Sequence, residues 1–136
     1  MEPRISLITL GVADLERSLA FYRDGLGLPV RAESSPAIVF IDMGNTWLAL
    51  FPRSELAADV GVSPAGSGFA AITLAHNVRE REDVDAVLAQ ASKAGAVIAR
   101  PARFTDWGGY SGYFMDPDGF PWEVAWNPHF WIGESG

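Results

Sequence analysis

The chain has 136 residues, of which 49% are hydrophobic and 20% charged, the balance of a globular protein that fills one domain or two small halves. Ten Lys and Arg against 17 Asp and Glu give a formal charge of −7, which disfavours nucleic acid and anionic membrane as partners. There is no cysteine, so disulfides, thiolate metal sites and a cysteine nucleophile are excluded. The opening MEPRISLITLGV lacks the long apolar core and small-residue cleavage site of a secretion signal. No apolar run reaches the roughly 18 residues of a membrane span, and the expectation is a cytoplasmic protein.

Residues 5–12 (ISLITLGV) are rich in branched side chains and predict a strand. Asp14 reads as the N-cap of a helix whose apolar stripe is Leu15, Leu19, Tyr22 and Leu26. A short strand is expected near residues 29–33, then strands over 37–43 (AIVFIDM) and 46–51 (TWLALF), with Gly44-Asn45 as the turn. Residues 52–68 form the longest loop, with room for a short helix near 54–59. The pattern then restarts, with a strand over 69–75 (FAAITLA) and a helix over 83–94 with Val84, Val87, Leu88 and Ala91 on one face. A strand over 96–100 follows, and then two strands around the turn Asp116-Pro117-Asp118-Gly119. Each half therefore reads strand, helix, then about three strands.

Two stretches carry a resemblance. VADLERSLAFYRDGLGL, after an opening strand, resembles the first-helix signature of the vicinal oxygen chelate superfamily, and DPDGFPWEVAW resembles its closing hairpin. That superfamily includes glyoxalase I, extradiol dioxygenases, fosfomycin-modifying enzymes and bleomycin resistance proteins. The resemblance implies an α+β fold of two βαβββ modules forming curved mixed sheets around a cleft. Module one would cover residues 1–53, a linker 54–67, module two 68–128 and a C-terminal tail 129–136. Metal-dependent members place His or Glu ligands on the first and last strands of each module. The matching positions here are Leu7, Ala49, Phe69 (or Thr73 in a looser alignment) and Glu123. Leu, Ala and Phe cannot donate to a hard cation, so the expectation is no metal and no cofactor. A set of His76, Glu123 and His129 is the remaining metal reading, and strand alternation disfavours it because His76 has the opposite parity to Thr73.

Of the sixteen aromatic residues, ten lie between Phe104 and Trp131. Phe114, Trp122 and Trp126 read as core, whereas Trp107 sits in a loop beside Asp106 and Gly108-Gly109. Ser111 and Tyr113 share strand parity, and in antibiotic-binding relatives the matching positions contact ligand. Glu123 shares a face with Pro121 and Ala125, and Trp47 one with Ala49. Trp47, Phe69, Trp107, Ser111, Tyr113 and Glu123 are thus the expected ligand-binding residues, an apolar wall with sparse polar anchors. The leading expectation is a metal-independent binding protein that sequesters an aromatic or polycyclic, antibiotic-like small molecule. The alternative is a cofactor-free or metal-dependent enzyme of the same fold (a lyase, isomerase or dioxygenase) using Glu123 or Tyr113. A homodimer is expected, from the apolar tail HFWIG and from sheet edges that one pair of modules leaves open.

Overall fold

A computed structural model describes residues 1–133. The chain divides into two units, Met1–Gly68 and Phe69–Gly136. In the first, β1 (Leu7–Val12) is followed by α1 (Leu15–Leu19), a π-helical turn (Ala20–Gly25), β2 (Val39–Asp42), β3 (Trp47–Pro52) and α2 (Arg53–Val60). The sheet order is β1-β3-β2, parallel between β1 and β3 and antiparallel between β2 and β3. Asp14 caps α1 as expected, its carboxylate accepting from the Arg17 backbone N–H at 3.1 Å. The π-helical turn carries Phe21 and Tyr22, both buried and edge to face with centroids 5.0 Å apart. With Val12, Ile41, Leu48 and Leu50 they make this unit's core.

The strand expected near residues 29–33 contracts to one bridge, Val30 to Ile41. Pro29 has no N–H to offer a ladder. The Ser34 hydroxyl takes the Phe40 N–H at 2.9 Å, the bond a neighbouring strand would otherwise receive.

The second unit runs β4 (Leu74–Val78), α3 (Arg81–Lys93), β5 (Val97–Phe104), β6 (Tyr110–Met115) and β7 (Pro121–Trp126). Its sheet order is β4-β7-β6-β5, with β4 parallel to β7 and the other pairs antiparallel. Helix α3 buries Val84, Leu88 and Ala91. The approach to β6 is close: a Cβ on Gly112 would stand 2.7 Å from Leu88 Cδ1 and 2.9 Å from the Ala102 nitrogen. Phe114 and Trp122 stack nearly parallel, centroids 6.0 Å apart. The turn into β7 is closed by buried Asp116, whose Oδ1 accepts from the Asp118 and Phe120 N–H groups at 2.9 and 2.8 Å.

Two strand boundaries differ from expectation, and both move site residues. The strand placed over 69–75 is instead Leu74–Val78. Its partner β7 begins at Pro121, opposite the residue before Leu74, so nothing earlier has a ladder to join. Ala71, at φ 61, breaks the extended run as well. In the other direction, β5 does not stop at Arg100 but continues to Phe104 through Pro101. A proline is tolerated there because β5 is an edge strand. Among the described residues no helix is long and apolar enough to cross a membrane.

Candidate functional site

The face of the second sheet away from α3 is built in two rows. Ala75 pairs with Glu123, Glu123 with Tyr113, and Tyr113 with Arg100. One step along, Asn77 pairs with Ala125, Ala125 with Ser111, and Ser111 with Arg103. Partners in register project from the same face. Arg100 and Arg103 are three residues apart, a spacing that puts side chains on opposite faces of a regular strand. The register shift between them brings both beside Ser111 and Tyr113.

Two depressions open on this face, and both include Trp107 and Glu123. The first, about 450 Å³, is mostly apolar; Ala75, Ala125, Phe130 and Ile132 line it, with Asn77 and His129 at its polar edge. The second, about 580 Å³, is polar and holds Arg100, Arg103, Ser111 and Tyr113, with Thr105 and Asp106 at the rim. Both fall within the size range of small-molecule sites.

Trp107 is placed by its turn and by the tail. Thr105 N–H donates to the Gly109 carbonyl, and Gly109 N–H donates to Thr105 Oγ1, each at 3.0 Å. The ring lies against Gly109 so closely that a Cβ there would fall 1.9 Å from Trp107 Cζ3. The tail folds back over this turn. His129 Nε2 lies 2.9 Å from the Trp107 carbonyl, so it carries the proton and donates. Arg79 stacks on the Trp131 ring at 4.2 Å from its centroid. The returning tail thus brings His129 and Phe130 to the apolar depression.

The electrostatics are split across the sheet. Arg100 donates from Nη2 to Ser111 Oγ at 2.9 Å and lies over the Tyr113 ring at 5.2 Å. Its Nη1 is buried without a hydrogen-bond partner, a state that costs about 1–3 kcal/mol. Burial, then the negative charge of Glu123 across the strand pair, raise the Tyr113 phenol above its ordinary pKa, while the Arg100 guanidinium pulls the other way. Tyr113 therefore keeps its proton to a higher pH than a free phenol, which suits it to donate rather than to act as a base.

Of the residues singled out from sequence, Trp107, Ser111, Tyr113 and Glu123 come together around the polar depression. Phe69 does not: it precedes β4 in a loop and is 73% exposed. Trp47 is engaged within its own unit, under Arg31 at 4.3 Å and against Phe40 at 5.8 Å. His76 pairs with Val124, on the α3 side of the sheet, and faces away from Glu123. Arg100 and Arg103 are the additions; the signal for them was the RPAR run in an edge strand.

The donor set does not fit the metal that some relatives of this fold bind. Ala75 stands beside Glu123 in register, and Ala49 faces Thr9 in the first unit. Among the described residues no three His, Cys, Asp or Glu side chains group as ligands.

The comparisons agree with this architecture. The model of the Glyoxalase/Bleomycin resistance protein/Dioxygenase superfamily matches residues 4–124. The uncharacterized protein YraH of Bacillus subtilis is 31% identical over 116 residues, covering 82% of this chain and 88% of that protein. Glutathione transferase FosA of Serratia marcescens is 30% identical over 119 residues, covering 86% of this chain and 76% of FosA. A glyoxalase-related enzyme from Fulvimarina pelagi superposes with a TM-score of 0.89 at 39% identity, covering 98% of this chain and 95% of that one. With the family match spanning nearly the whole chain and both sheets in place, this chain belongs to the glyoxalase/bleomycin resistance protein/dioxygenase superfamily.

Proposed function

We propose that the protein is a metal-independent binder of an aromatic or polycyclic, antibiotic-like small molecule, working in the cytoplasm. The observation that carries the reading is the pairing of an apolar wall with a carboxylate: Trp107, Ala125, Phe130 and Ile132 around Glu123. A flat ring stacks on Trp107, and Glu123 takes an amine or hydroxyl at the ring's edge. Proflavine, a tricyclic aromatic cation, is the test probe. Saturable quenching of tryptophan emission is expected, and Glu123→Gln should weaken proflavine several-fold more than neutral acridone, because only the cation loses a Coulomb partner. Proflavine recovered unchanged after long incubation fits a binder. An absence of saturable quenching would remove the reading.

One observation favours a second reading, an enzyme. Tyr113, kept protonated beside Glu123, forms a donor–acceptor pair on the same face. Relatives named as transferases, such as FosA, are consistent with turnover at such a site. Product accumulating beyond one equivalent, and lost in Tyr113→Phe, would promote it.

A homodimer is part of the proposal. Phe130, Trp131 and Ile132 are 59%, 40% and 67% exposed, an apolar run that a second copy would cover. Light scattering should give twice the 14.7 kDa chain mass.

A further inference from the structure

We infer that Arg100, Ser111 and Arg103 form an anion subsite that receives a carboxylate of the ligand; the inference rests on the small-molecule reading above. Four observations converge on it. Arg100 Nη1 is buried and unpartnered. Ser111 is 1% exposed, and its Oγ accepts from Arg100, which leaves the hydroxyl proton to be given to another acceptor. Among the described residues neither Arg100 nor Arg103 forms an ion pair, in a chain with 17 acidic side chains against 10 basic ones. Finally, the register shift in β5 sets both arginines on one face, beside Tyr113 and Ser111.

Two donors held by one hydrogen-bonded pair, one planar and one a hydroxyl, match the two oxygens of a carboxylate. Two carboxylates share the depression. Asp106 is exposed in the turn, and Glu123 is separated from Arg100 by the whole of β6, about 10 Å at two strand spacings. The site is therefore polarised, positive along β5 and negative on β7. The ligand it fits is dipolar: a carboxylate at Arg100, an aromatic body against Trp107, and an amine or hydroxyl toward Glu123.

Calorimetry with indole-3-acetate and indole-3-acetamide tests the charge with the ring held constant. The carboxylate should bind about tenfold more tightly than the amide, the value of a charge-assisted hydrogen bond. Arg100→Gln should bring that ratio close to one, and Ser111→Ala should narrow it. A wild-type ratio within about twofold, or one that persists in Arg100→Gln, overturns the subsite. Thermal melting of each variant confirms that it folds. If neither indole binds, the aromatic-cleft reading still stands or falls with proflavine, and the subsite is judged from the Arg100 Nε–H resonance titrated with sodium acetate and sodium phosphate. A saturable shift with acetate upholds it. No shift, or a stronger response to phosphate, overturns the carboxylate assignment.

Discussion

The two sheets are built to one plan and carry different chemistry. In the first unit the face containing Ala49 offers Leu7, Thr9, Trp47, Phe40 and Asp42, with its tryptophan held by Arg31 and Phe40 and its carboxylate paired with Arg31. In the second the corresponding face offers Glu123, Tyr113, Ser111 and two arginines, with its tryptophan turned into a depression. The difference shows how repetition of an element order leaves function free. The backbone needs one buried face per sheet, and the other face takes whatever chemistry the sequence supplies.

Glycines on the strands separate the two units most sharply. In the second, Gly112→Ala drives a Cβ to 2.7 Å from Leu88 and 3.0 Å from the Arg100 carbonyl oxygen. The backbone atoms cannot yield cheaply, and the expected loss is about 2–3 kcal/mol in urea unfolding. In the first, Gly11→Ala meets Arg53 and Leu56 at 3.3 Å, partly flexible neighbours, and the loss should stay near 1 kcal/mol. Equal losses would break the comparison.

The tryptophans come next. Trp107→Ala should weaken proflavine by about 1–3 kcal/mol with little change in stability, since the residue is 43% exposed. Trp47→Ala should do the reverse, lowering the melting temperature through the lost Arg31 and Phe40 contacts while leaving proflavine affinity nearly intact. A loss of affinity in Trp47→Ala would show that the first sheet shares in binding.

The smallest effect is the pH dependence. The folded pKa of Tyr113 is raised above its ordinary value of 10.0, so the native state holds this proton longer than the unfolded chain does. Its contribution to stability is complete below about pH 10 and is lost as pH rises through the folded value. Tyr113→Phe should flatten that part of the stability curve, and Glu123→Gln should lower the Tyr113 pKa in a titration followed by phenolate absorbance.

The polar part of this site was legible because strand alternation is a local property. Once DPDG fixed the hairpin, the parity of Ser111, Tyr113 and Glu123 followed, and Trp107 was marked by its glycines. What escaped was set by partners distant in sequence. Phe69 lost its strand because β7 begins at Pro121. Trp47 was taken by Arg31, which no periodicity announces. Arg100 and Arg103 were hidden by Pro101, which ends a strand by rule unless that strand is an edge with room to bulge. The return of the tail is held by contacts remote in sequence, from His129 to the Trp107 carbonyl and from Arg79 to the Trp131 ring.

The irregular ladder of β5 also gives the second sheet unequal borders. Along β5, two register shifts and Pro101 interrupt the outward row of donors and acceptors, so an incoming strand finds no continuous template and adventitious stacking of copies is discouraged there. Along β4, Leu74 to Val78 pair with β7 without a break and contain no proline. The β4 rim is thus the regular one of the two, and a strand added to this sheet would find a continuous template there rather than along β5.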